Sequence, residues 1–196
     1  MQRQAALTAL ELDPDDSLAL VGLAQLRIRE GNLIGACEAV ERALMAGASH
    51  ADTLAFLARY VATLLDRPGD SIALMNRSFV LNPHVPGWYY LQHIRVAYFA
   101  RLFDLVLEQF ARLMSSSAGM MPLRAQKLFN ALALAQLGRD VEVIVAVREL
   151  RDSDPNLGII QIEALGLCPT ALELFFDGLR KAQLRDKRRP SRANRT

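Results

Sequence analysis

The sequence predicts an all-α protein, a right-handed superhelical stack of helix–turn–helix repeats closed by a C-terminal capping helix. Three observations predict it. Pro14, Pro83 and Pro155 each close an apolar helical stretch (ALELDP, SFVLNP, RELRDSDP), and successive prolines lie close to two periods of about 34 residues apart. Gly31 and Gly138 sit in polar turns (REGN, QLGRD) that lie close to three such periods apart. Both sets of marks exceed whole periods by the same small insertion in total. Within each period, apolar and small residues recur at three- and four-residue spacing, which places them on one helical face.

The elements follow in order. Residues 1–16 supply a second helix without its first, with Gln2, Ala6 and Ala9 ahead of Pro14. In 17–50, Leu20, Leu23, Ala24 and Arg27 precede the Gly31 turn, and Ala36, Val40 and Ala43 follow it. In 51–84, Leu54, Leu57, Ala58 and Val61 lead to Ser71, Met75, Ser78 and Pro83. The third unit, 85–122, opens with an aromatic-rich helix whose register floats within 84–100. Its second helix carries Val106, Phe110 and Leu113, and SSSAGMMP (115–122) reads as a long mobile turn. In 123–156, Lys127, Asn130, Ala131 and Leu134 precede the Gly138 turn, and Val143, Val147 and Leu150 follow. Glycine ends the first helix of a pair by adopting positive φ, and proline cannot continue the second. The Asp13, Asp15 and Asp16 cluster is placed to cap the next helix and complement its dipole.

After Pro155 the repeat stops. Residues 157–186 read as a cap: a short apolar segment, then a helix opened by Pro169 with Leu172, Phe175, Phe176, Leu179 and Leu184 along one side. An open helical stack needs its last apolar face covered. The N-terminal face has no such cover, so something beyond these residues, or a second copy in a homodimer, is expected to cover it.

This pattern resembles the tetratricopeptide repeat over residues 1 to about 155, with most of that family's large aromatics replaced by aliphatics. LNPHVPGWYY (81–90), LGRD (137–140) and FFDGLRKAQL (175–184) look like the C-terminal tetratricopeptide regions of bacterial multidomain signalling proteins. In that group the region commonly follows a class III adenylate or guanylate cyclase domain or a winged-helix DNA-binding domain. The resemblance implies a non-catalytic scaffolding or regulatory domain. Its alternative is the accessory domain of a nucleotide cyclase whose catalytic domain lies upstream of Met1.

Composition narrows the function further. The 196 residues are 52% apolar and 22% charged, too apolar for a disordered chain. Two cysteines, Cys37 and Cys168, cannot form a disulfide framework and fit a reducing compartment. No apolar run approaches the roughly 18 residues of a membrane span. The expectation is a cytoplasmic protein. The net charge of +2 divides into +7 from Arg180 onward and −5 over everything before it. Residues 187–196 (KRRPSRANRT) read as a basic, disordered tail with weak, salt-dependent attraction to nucleic acid or another anionic surface.

No residue pattern points to catalysis. His50, His84 and His93 lack partners at metal-ligand spacing. Phosphate-cradling glycine loops and nucleophile elbows are absent from the sequence. The reading is therefore not an enzyme, with no catalytic or metal-binding residue and no cofactor. Protein or peptide binding is the better expectation. In this architecture the first helices of successive pairs line a concave groove, which nominates Gln25, Arg29, Arg59, Tyr89, Gln92 and His93. Aromatic and arginine groups in a recess are common binding anchors. The carboxylate clamp of the family's chaperone-binding members is not assembled, because Val21, Gln25 and Phe56 stand at its places.

Overall fold

The computed structural model describes residues 2–115, 124–164 and 166–184. Among them are eleven helices and no strand. A lone helix, α1 (Gln2–Leu12), is followed by four helical pairs. These are α2 (Ser17–Arg29) with α3 (Leu33–Ala46), and α4 (Ala51–Thr63) with α5 (Pro68–Leu81). Then come α6 (Gly87–Phe99) with α7 (Phe103–Ser115), and α8 (Arg124–Gln136) with α9 (Asp140–Ser153). A short α10 (Ile159–Ala164) and a longer α11 (Pro169–Lys181) complete the fold. The most extensive packing lies within pairs, and each first helix also meets the first helix of the next pair. First helices begin at Ser17, Ala51, Gly87 and Arg124, a nearly constant interval. The packing is repeat-like. Of the turn expected over 115–122, Ser115 closes α7 and 116–122 lie outside the described residues, as does the tail expected over 187–196.

Local chemistry sets the helix ends. Asp16 caps α2, its carboxylate accepting from the Leu18 and Ala19 amides at 2.9 and 3.0 Å. Asn32 caps α3 in the same way through the Gly35 amide at 2.8 Å. Past α2, Gly31 adopts φ +75°, and the Asn32 and Gly31 amides return to the Arg27 and Ile28 carbonyls. This Schellman turn satisfies the last carbonyls of the helix. The same pair of bonds recurs past α6, α8 and α11, with Arg101, Gly138 and Gln183 at positive φ. Thus α11 ends as a first helix of a pair does.

Burial separates three of the four first helices from the second helices, α2 burying only four residues. Ten of the thirteen residues of α6 are buried, and nine of thirteen in both α4 and α8. The second helices α3, α5, α7 and α9 bury only three or four each, on one face. A first helix in an open concave stack would keep its inner face in solvent. Here that face is covered over α6 and α8, and it is the chain's own C-terminal segment that covers it.

The segment expected to cap the stack buries Phe175, Leu179 and Leu184 in the C-terminal core, with Leu172 and Phe176 packed against it. α11 packs on α8 and α6, and Gly178 allows the approach, because a Cβ there would strike the Tyr98 hydroxyl oxygen. That hydroxyl donates to the Leu174 carbonyl at 3.2 Å. Gln136 of α8 donates to Asp177 at 3.1 Å and accepts from Lys181 at 2.6 Å. Meanwhile the outward stripe of α9 stays exposed, with Val141 at 78% and Ile144 at 62%. α10 and residues 166–168 form a strap across the C-terminal ends of the first helices. Glu163 reaches Arg95 in α6, Gly166 abuts Ile28 in α2, and the Cys168 amide donates to the Thr63 carbonyl of α4 at 2.7 Å.

Candidate functional site

One stretch of the inner face remains open. Between α1, α2 and α4 lies a recess of about 530 Å3. Ala5, Ala6, Ala9 and Gly22 form its small-residue floor, and Val21, Gln25, Arg29, Phe56 and Tyr60 form its walls. The floor is tight because α1 and α2 approach closely: a Cβ on Gly22 would stand 3.4 Å from that of Ala6. Gln25 and Arg29 are exposed, and neither makes a side-chain hydrogen bond or ion pair among the described residues. Phe56 stacks on Trp88 with ring centroids 4.8 Å apart and planes 14° from parallel. Beside them the Arg59 guanidinium stands 5.3 Å from the centre of the Tyr60 ring. Burial lowers the pKa of Arg59 from its usual value, and the neighbouring Arg95 charge lowers it further.

The six sequence-nominated groove residues divide three ways. Gln25 and Arg29 line the open recess. Arg59 is half-buried on the same inner face, and Gln92 lies beneath the strap, 3.5 Å from an Arg95 donor. Tyr89 and His93 are not in a groove at all. The Tyr89 side chain is fully buried, its hydroxyl donates to Asp52, and burial with that carboxylate pushes its pKa up to about 12. His93 faces the second helices, 5.2 Å from the Phe79 ring and beside Gln109 and Arg112 of α7. Neither ring nitrogen meets hydrogen-bond geometry with a neighbour, and burial lowers its pKa to about 4. The reason is geometric. The residues of α6 point in every direction because neighbours surround it, so membership of a first helix does not imply exposure to a groove.

Residues outside the nominated set also shape the site. Phe56 and Tyr60 are walls of the recess, and the Phe56–Trp88 stack ties α4 to α6 at its edge. Arg95, which carries no signal in the sequence beyond its charge, forms a buried ion pair with Glu163. Its Nε donates to Oε2 at 2.8 Å while Nη2 contacts Oε1, with the two side chains 8% and 3% exposed. Cys37 and Cys168, far apart in sequence, line one recess of about 720 Å3 with Leu33, Ile34 and Leu64. Burial raises the Cys37 thiol pKa, and its Sγ lies 3.8 Å from the Leu64 carbonyl.

Chemically, the open recess offers apolar and aromatic surface, the Arg29 cation and Gln25 amide without side-chain partners among the described residues, and the Asp16 carboxylate that caps α2. Among the described residues no group of three or more His, Cys, Asp or Glu side chains is placed to hold a metal ion. No helix of the described residues is long and apolar enough to cross a membrane. No protein-family model matches the chain, and no curated protein is significantly similar to it.

Proposed function

We propose that this chain is a non-catalytic protein–protein interaction module, a right-handed scaffold of the tetratricopeptide type, acting as the regulatory part of a bacterial signalling protein. The observation that carries the reading is the open recess between α1, α2 and α4. There Arg29 and Gln25 make no side-chain hydrogen bond or ion pair among the described residues, and Phe56 presents aromatic surface beside them. Apolar and aromatic surface with a few convergent polar groups is how peptide and helix partners are held. Helical pairs at near-constant spacing support the repeat assignment. The partner is a peptide or helix that enters the recess with an anionic or hydrogen-bonding group for Arg29.

The test places a photo-crosslinking amino acid at Gln25 in the full chain and identifies the protein it captures. Arg29→Ala and Phe56→Ala should each weaken that complex by about tenfold or more, the range of an anchoring residue. Unchanged affinity in both variants would remove the recess as the binding site.

A further inference from the structure

The strap that covers the rest of the inner face sits on an unequal set of charges. Arg59 and Arg95 stand on the adjacent helices α4 and α6, and Glu163 pairs with Arg95 while its charge also reaches Arg59 at longer range. Arg95 takes both carboxylate oxygens. Arg59 is left with the Tyr60 ring, and no carboxylate oxygen lies within 4.0 Å of it among the described residues. A half-buried cation with no ion-pair partner is costly, and a second carboxylate beside it would relieve that cost.

The covering element is short. α10 has six residues with Ile162 59% exposed; Ile160 is buried in the C-terminal core against α8, and Glu163, Gly166 and the Cys168 amide tie the strap to α6, α2 and α4. Gly166 adopts φ +74°, which favours glycine, and a Cβ there would stand 2.9 Å from the Ile28 side chain, so the chain crosses α2 closely at this residue.

We propose that the inner face under the strap is a carboxylate-recognition surface built from Arg59 and Arg95, and that an acidic peptide segment of a partner displaces the strap to occupy it. Glu163 is then an internal ligand showing the chemistry the surface accepts. A partner segment with two carboxylates satisfies both guanidiniums where Glu163 satisfies one. The proposal rests on the interaction-module reading but uses a different part of the inner face from the open recess.

The probe is a fluorescent synthetic peptide with the sequence of residues 157–168, beside a control peptide carrying E163Q. On the full-length Glu163→Gln chain, the glutamate peptide should bind at least about tenfold more tightly than the control. It should also raise the thermal midpoint of that chain, and adding Arg59→Gln should weaken its binding. Equal binding of the two peptides, or indifference to Arg59→Gln, overturns the proposal. Should Glu163→Gln fail to fold, the wild-type chain decides. Saturating glutamate peptide should speed hydrogen exchange over residues 159–164, and unchanged exchange overturns the proposal. A captured partner that depends on Arg29 while both peptide effects are absent would remove this surface alone. Intact peptide effects with an Arg29-independent partner would remove only the open-recess reading.

Discussion

At the scale of single residues, backbone conformation repeats where side-chain identity does not. Gly31 and Gly138 are legible as turn glycines because positive φ selects for glycine. Arg101 and Gln183 hold the same left-handed place past α6 and α11, at φ 60° and 53°, and leave no such mark in the sequence. A side chain in that region costs about 1 kcal/mol relative to glycine. Arg101→Gly and Gln183→Gly should therefore each stabilise the chain by about 1 kcal/mol, read as a higher urea midpoint with unchanged slope. His93 gives the opposite lesson, since its place in the sequence nominates it for a groove while the fold buries it against Phe79. With its pKa lowered to about 4, the folded chain keeps it neutral while the unfolded chain protonates it below about 6.5. The unfolded state then holds more protons, so stability present above the unfolded pKa is lost as pH falls through the folded one. The loss is about 3 kcal/mol when complete. His93→Phe should flatten the dependence of unfolding free energy on pH across that window while changing little at about pH 8. An equally steep dependence in the variant would show that His93 is not its source.

At the scale of elements, helix existence is the most readable property and helix surroundings the least. Three- and four-residue spacing marks one apolar face, which describes the second helices well: α7 buries Val106, Gln109 and Leu113 along a single stripe. α6 has no such face. Its aromatic run, whose register floats in the sequence, belongs to a helix enclosed by α4, α5, α7, α8 and the C-terminal segment. Periodicity fades when every direction is buried. The same contacts make Gly178 a pairing position rather than a turn. A methyl there meets the Tyr98 hydroxyl, so Gly178→Ala should cost about 1–3 kcal/mol despite alanine's higher helix propensity. Tyr98→Phe alone loses the bond to the Leu174 carbonyl, at about 1 kcal/mol. Together the two substitutions should cost less than their sum by about 1–2 kcal/mol, because the phenylalanine removes the oxygen that the methyl strikes. Additive effects in that double-mutant cycle would show that α11 shifts away instead of pressing on Tyr98.

For the whole molecule, the strap changes how stability is distributed. A stack in which each pair touches only its neighbours has stability that sums along the chain and can be lost from one end. This fold adds contacts between distant parts: Gly166 to α2, Cys168 to α4, Glu163 to α6, and α11 to α8. The packing of α11 is the expected capping contact, whereas the pairings of Gly166, Cys168 and Glu163 are not legible in the sequence, because they obey neither the repeat period nor a motif. They join the core of α2 to α4 with the larger core from α6 to α11. Unfolding of the intact chain should therefore be a single cooperative transition. Trp88 is the only tryptophan and reports on the α4–α6 junction through its stack on Phe56. Its fluorescence and the helical circular dichroism should then give coincident urea curves. Gly166→Val places a branched side chain where even a Cβ meets Ile28, at a backbone conformation valine resists, and so lifts the strap from α2. In that variant the N-terminal pairs lose their tie to the C-terminal core, and the two curves should separate, with Trp88 responding at lower urea. A uniform shift of both curves, still superimposed, would mean that neighbour packing alone makes the fold cooperative and that the strap is a covering without a coupling role.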